Sequence, residues 1–186
     1  MSDKVNRREF LTLNWESSIG FLGNFLVPQL EIDRPFFRPP GACGELEFLT
    51  SCTRCGKCKE ICPEKSIFLF SLSNGPKLLN TPYLDPNLSP CTFCQKCIEV
   101  CPTNSLNNED YLGRPFLGYA EVQASFCLAH QNVMCDYCVR SCPVQGAIQL
   151  KDGLPVVSIE ACNGCGICIS SCISEKKAIM IILKGE

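Results

Sequence analysis

Cysteine is the residue type whose spacing in this chain could do chemistry. Cys52, Cys55, Cys58 and Cys62 read C-x2-C-x2-C-x3-C with Pro63 behind them, and Cys91, Cys94, Cys97 and Cys101 repeat the spacing ahead of Pro102. A third motif keeps Cys135, Cys138 and Cys142-Pro143, but its first cysteine stands eight positions upstream at Cys127. The fourth, Cys162, Cys165, Cys168 and Cys172, restores the regular spacing with Ile173 in place of the proline. Three thiolates two residues apart can wrap a tight loop around one corner of an iron–sulfur cube, each reaching a different iron. The last cysteine is expected to start the following helical turn and to point away, with the proline redirecting the chain. Gly56, Gly164 and Gly166 are expected to let the backbone approach sulfur closely.

In two-cluster ferredoxins the fourth cysteine of each motif ligates the other cluster, so a motif is incomplete without a partner. Four motifs therefore imply four [4Fe-4S] clusters, held by all sixteen cysteines in two pseudo-twofold pairs. Zinc ribbons use C-x2-C pairs across a long loop without the third cysteine, and disulfides need no such repeat. For motif three the preferred reading makes Cys127 a ligand. The alternatives are a three-iron cluster, a non-cysteine ligand, or a Cys127 that is merely buried. The seventeenth cysteine, Cys43, reads as a small buried thiol. Spacing permits sequential pairing (one with two, three with four) or nested pairing (one with four, two with three). Analogy with multi-cluster subunits of molybdenum enzymes favours the nested form.

Positioning these cysteines calls for an α+β fold of two bacterial-ferredoxin-like lobes, with short helices at the motif ends, short strands and long loops. After motif three, Gly146–Leu150 and Leu154–Ser158 read as strands around a Lys151-Asp152-Gly153 turn. Ala178–Leu183 reads as a closing strand, and Ser66–Leu72 plays the corresponding part after motif one. The linkers after motifs one and two, 28 and 25 residues long, carry several prolines and glycines and read as irregular surface loops.

The 186 residues include 17 cysteines, and the 46 % hydrophobic fraction counts them. Without them roughly 37 % remains, which is thin for an apolar core and calls for metal staples. Net charge is −2, so no basic nucleic-acid face is implied. No apolar run is long enough for a conventional membrane span.

The chain divides into residues 1–45, a leader or docking segment, and 46–186, the four-cluster domain. Val5-Asn6-Arg7-Arg8-Glu9-Phe10-Leu11 looks like a twin-arginine export signal, followed by the uncharged stretch Ser17–Leu30. No A-x-A site follows, so the preferred reading is an uncleaved signal placing the protein on the periplasmic side of a membrane. The alternative is cytoplasmic: Leu11, Trp15, Ile19, Leu22 and Leu26 recur at helical spacing and could dock on a partner.

Together these features resemble the four-cluster ferredoxin subunits of periplasmic nitrate reductase and methylamine-utilisation systems, the NapG/MauM type. Arg38-Pro39-Pro40-Gly41-Ala42, Glu47-Phe48-Leu49 and Thr81-Pro82-Tyr83 carry the likeness, with Cys127-Leu128-Ala129, Cys135-Asp136-Tyr137-Cys138 and Cys162-Asn163-Gly164-Cys165-Gly166. The resemblance covers about residues 34–183 and the twin arginines, and the displaced ligand of motif three is its most specific element. It implies a non-catalytic subunit that relays electrons from a membrane quinol-oxidising protein towards a cytochrome or a molybdenum-type catalytic subunit. The alternative is a soluble cytoplasmic polyferredoxin serving several oxidoreductases. A third reading, an enzyme subunit with one catalytic cluster, would need an open coordination position, which sixteen cysteines for four cubes do not leave.

Other chemistry finds no support. No radical-SAM C-x3-C-x2-C, G-x-G-x-x-G or P-loop occurs, and the single histidine, His130, reads as a surface or packing residue. Arg54, Lys57 and Lys59 surround motif one and predict its cluster to be the more easily reduced. Each loaded cube adds about −2, which takes the chain to about −10 and predicts a partner with a positive docking face.

Overall fold

The structure is a computed structural model and describes residues 36–111 and 116–182. The leader as far as residue 35, with its twin arginines and apolar stretch, lies outside the described residues. Residues 35–186 form one compact unit.

Its elements are short. Helix α1 is Glu45–Ser51, α2 Lys57–Ile61, α3 Lys96–Glu99, α4 Tyr137–Ser141 and α5 Ile167–Ser170. The strands are β1 Ile67–Leu69, β2 Pro82–Leu84, β3 Tyr119–Val122, β4 Ile148–Lys151, β5 Leu154–Val157 and β6 Ile179–Ile182. All strand pairs are antiparallel: β1 with β2, β3 with β6, and β4 with β5.

One plan serves both halves of the cysteine-rich unit. Around motifs three and four, β3 precedes the first motif and pairs with β6, which follows the second, while the β4–β5 hairpin joins them. Around motifs one and two, the β1–β2 hairpin joins the motifs, and the outer pairing shrinks to one antiparallel bridge between Ala42 and Leu106. The β4–β5 turn follows its chemistry, since Asp152 and Gly153 both take the positive φ that a two-residue hairpin turn needs.

All four expected strands are present with altered ends: Ile67–Leu69, Ile148–Lys151, Leu154–Val157 and Ile179–Ile182, with Lys151 in the strand and not in the turn. The long linkers are not wholly irregular. The first holds β2 and the second holds β3, whose partner β6 lies some sixty residues further on. A four-residue strand with so distant a partner leaves little local pattern to read.

The cores are small, and cysteines are part of them. Phe48, Ile67, Leu84, Ile98, Leu106 and Leu117 pack with Cys43 and Cys97 in the first half. Ala120, Ala147, Ile148, Ile169, Ile179 and Ile181 pack with Cys138, Cys162 and Cys168 in the second. Residues 36–44 pack into the unit through Arg38. Its guanidinium forms a bidentate pair with Glu45 (2.7 and 3.0 Å), reaches Thr81 Oγ1 (2.9 Å) and the Pro82 carbonyl (2.6 Å), and lies 4.6 Å over the Phe48 ring. No described helix is long and apolar enough to cross a membrane.

Candidate metal centres

The structure gathers the sixteen motif cysteines into quartets, each built of three from one motif and one from another. Cys52, Cys55 and Cys58 line a cavity with Cys101. Cys91, Cys94 and Cys97 line a second with Cys62, and Cys127, Cys135 and Cys138 a third with Cys172. In the fourth set, Cys142 lies close enough to Cys165 and Cys168 for its thiolate to raise both, as Cys162 does. Pairing is therefore sequential, and the nested expectation is overturned. Helix α2 packs on α3 and α4 on α5. The physical reason is the hairpin between motifs one and two and that between three and four, which folds the chain straight back so that the next motif meets the one just made.

The fourth cysteine also sits differently from expectation. The third cysteine of each motif (Cys58, Cys97, Cys138, Cys168) lies within the short helix. The fourth ends that helix: Cys62 and Cys142 are C-caps with extended backbone, and Cys101 and Cys172 follow the caps Val100 and Ser171. Leaving the helix in this way carries each sulfur to the partner motif.

The motif loops take their shape from left-handed residues between the cysteines. Arg54 and Gly56, Phe93 and Gln95, and Gly164 and Gly166 all have positive φ. Such alternation turns successive backbone N–H groups to one side, a concavity suited to anionic sulfur. The Arg54 N–H points at Cys52 Sγ (3.4 Å), and the Ala120 N–H at Cys162 Sγ (3.4 Å). Motif three lacks this pattern, since Asp136 has φ −138°. Its displaced cysteine comes instead from a turn in which the Cys127 N–H donates to the carbonyls of Gln123 (3.1 Å) and Ala124 (3.3 Å). That turn buries Cys127 against Ala129 and Ala178.

The glycines do not serve the purpose expected of them. A Cβ on Gly164 would come within 2.6–2.8 Å of the Gly118 backbone, and one on Gly166 would strike the Pro86 carbonyl. These two make room for another stretch of chain, not for sulfur. Gly56 has no such crowding; its φ of +76° favours glycine, although Gln95 takes the same left-handed backbone at the corresponding place in motif two.

Burial raises several of the thiols. It pushes Cys58, Cys91 and Cys138 to about 11, and Cys97 and Cys168 to about 12, with neighbouring cysteine charges adding to it. Cys55 is the exception, lowered mainly by a hydrogen bond from the Lys57 N–H. Four mutually repelling thiolates in a poorly solvated cavity need a compensating cation, and iron supplies one. Among the described residues no three His, Cys, Asp or Glu side chains close around a single metal ion. Quartets spread around a cavity and made only of soft sulfur donors suit a cube with an iron at each corner. All seventeen cysteines are free of disulfides.

Two features near the first quartet left no signal in the spacing. Thr103 Oγ1 lies 3.9 Å from Cys101 Sγ and 2.8 Å from Ser105 Oγ, which in turn lies 2.9 Å from Ser51 Oγ. Cys43 is buried among apolar neighbours and faces Ser51, and burial raises its thiol. It stands outside the quartets, and His130 is exposed on a short 3-10 turn.

Comparison with known proteins gives the same chemistry. The 4Fe-4S dicluster domain pattern matches residues 51–105, which span motifs one and two, and a 4Fe-4S binding domain matches residues 159–172. The methylamine utilization ferredoxin-type protein MauM of Paracoccus denitrificans is 33 % identical, over 96 % of this chain and 88 % of its own. MauM of Methylophilus methylotrophus is 36 % identical, over 96 % of this chain and 85 % of its own. The ferredoxin-type protein NapG of Escherichia coli is 36 % identical, over 80 % of this chain and 73 % of its own.

Proposed function

The chain belongs to the family of iron–sulfur ferredoxin-type electron-transfer proteins that includes MauM and NapG, and from that premise we propose that it relays electrons through four [4Fe-4S] clusters as a non-catalytic subunit of a larger redox complex. The observation that supports this most is the meeting of motif pairs, three cysteines from one motif and a fourth from its partner at each cavity. In this reading Cys52, Cys55, Cys58 and Cys101 hold one cluster, and Cys62, Cys91, Cys94 and Cys97 a second. Cys127, Cys135, Cys138 and Cys172 hold a third, and Cys142, Cys162, Cys165 and Cys168 the fourth. Each pair of clusters forms one ferredoxin-like lobe of the domain spanning residues 46–186. Each cluster, when bound, takes up and gives back one electron. The protein's own work is to hold the thiolates, aim backbone N–H groups at sulfur and keep water from the inner sites.

The donor on this reading is a membrane quinol-oxidising protein, and the acceptor a cytochrome or a molybdenum-type catalytic subunit. Residues 1–45, with Arg7 and Arg8, would carry the folded protein across the membrane and keep it there on the exoplasmic face. Two measurements test the proposal. Anaerobically purified protein should contain about 16 iron and 16 sulfide per chain, the content of four cubes. Half that content would reduce it to a two-cluster protein. Replacing Arg7 and Arg8 with lysine should trap cluster-loaded protein in the cytoplasm, and an unchanged location would remove the export reading.

A further inference from the structure

The two motif pairs touch at one well-built place. The Cys91 N–H donates to the Cys165 carbonyl at 2.8 Å, joining the first ligand residue of motif two directly to the second of motif four. Everything around this bond is arranged for close approach. Gly166 follows Cys165 and has no Cβ, and a Cβ there would strike the carbonyl of the fully buried Pro86, five residues before Cys91. Gly164 precedes Cys165 and lies against Gly118, so both neighbours of Cys165 are glycines used for backbone contact. Asn87 clamps the same stretch to β6, its Nδ2 donating to the Ile181 carbonyl (3.0 Å) while its Oδ1 accepts from the Ile181 N–H (2.7 Å). An aspartate turn presents it, with the Asn87 N–H on Asp85 Oδ1 (3.0 Å).

Cys162, Cys165 and Cys168 of motif four are all buried, whereas Cys55 in motif one and Cys94 in motif two are exposed. Motif four is thus an inner station by burial. It meets motif two at this contact and motif three within its own pair, which leaves motifs one and three at the ends.

We infer that electrons cross between the two motif pairs at the Cys91–Cys165 contact, so that the cluster sites stand in the order one, two, four, three, with Asn87 and Gly166 as the residues that position the crossing. The inference rests on the four-cluster reading above and adds to it the route and the two terminal sites. No bond is made or broken in the transfer: one electron leaves the reduced site on one side of the contact and is taken up by the oxidised site on the other.

The test compares fully reduced wild type with Asn87→Ala and Gly166→Ala, measuring iron, sulfide and the magnetic coupling between clusters by electron paramagnetic resonance. Asn87 touches no ligand, so Asn87→Ala should keep the wild-type iron and sulfide and lose the part of the coupling that joins the two pairs. Gly166→Ala should lose the same part, and if it also loses iron, Asn87→Ala alone decides. A complementary pair of chains separates the routes. With Cys52, Cys55, Cys127 and Cys135 changed to alanine, leaving sites two and four, the spectrum should remain coupled. With Cys91, Cys94, Cys162 and Cys165 changed instead, leaving sites one and three, it should be that of isolated clusters. Four clusters in the wild type with unchanged coupling in Asn87→Ala, or coupling between sites one and three alone, would overturn the order. Fewer than four clusters in the wild type would overturn the reading beneath it.

Discussion

Burial pushes the thiols of Cys97 and Cys168 to about 12, and those of Cys58, Cys91 and Cys138 to about 11, above the ordinary 9.0. At neutral pH these sulfurs carry protons that iron must displace, and a raised value means the competition persists to higher pH. The sign follows: loading strengthens as pH rises and continues to do so past 9, because protonated ligands remain until pH reaches the raised values. Each proton displaced costs about tenfold in affinity per pH unit below the ligand's own value. Competition of the cluster-free chain with an iron chelator, followed from pH 7 to 9.5, should show iron retention climbing throughout, and a plateau near neutrality would contradict it. Cys55, lowered by the Lys57 N–H, should be the first sulfur to bind. Cys127 carries a separate expectation. Cys127→Ala should lose about a quarter of the iron, or leave a three-iron signal, because its quartet has no spare sulfur. Unchanged iron and an unchanged spectrum would make Cys127 a packing residue only. Spacing groups the sixteen cysteines into four motifs because the repeat is local. The hydroxyls of Ser51, Ser105 and Thr103 near Cys101 were not legible from it, since they meet only after the chain has folded back on itself.

Between elements, Arg38 is the tie that brings residues 36–44 into the cysteine-rich unit. Its side chain and that of Glu45 are 6 % and 8 % exposed, and it joins α1 to β2 through Thr81 and the Pro82 carbonyl. Breaking a buried, hydrogen-bonded ion pair by removing one partner costs about 3–5 kcal/mol. Arg38→Met should lower the stability of the loaded protein by that order in urea unfolding, while Arg54→Met, on an exposed residue, should change stability little. Equal effects of the two would mean that the pair does not hold the segment. The same scale shows where sequence pattern runs out. The β4–β5 hairpin was readable, because its strands flank an Asp152-Gly153 turn and pair at once. Strand β3 was not, because four residues take their identity from β6 far along the chain. Motif pairing failed for a related reason: spacing fixes which cysteines share a loop, while the hairpin between motifs decides which loop they meet. Gly164 and Gly166 were singled out correctly as special, yet their purpose lies in the Gly118 and Pro86 backbones that no local pattern names.

At the scale of the whole molecule, charge distribution should set both the direction of flow and the approach of partners. Arg54, Lys57 and Lys59 surround motif one, and Cys55 beside them is exposed, whereas the motif-four cysteines are buried. Positive neighbours and solvent both favour the more negative, reduced cluster, so the motif-one site should hold the highest potential. With sites ordered one, two, four, three, electrons then enter near motif three and leave near motif one. Redox-poised resonance spectra of single-motif variants check this, and a motif-one site that is the last to reduce would reverse it. The total charge gives a second handle. The polypeptide carries −2, and four oxidised cubes at about −2 each bring the loaded protein to about −10. A field of that sign accelerates encounter with cations and slows it with anions, and salt removes both effects once the screening length falls to about 8–10 Å. Oxidation of the reduced protein by the hexaammineruthenium(III) trication should therefore slow as salt rises, while oxidation by the ferricyanide trianion should quicken. If instead the trication's rate rose with salt and the trianion's fell, the positive patch at motif one would dominate the exit site, and the partner's docking face would have to be acidic there.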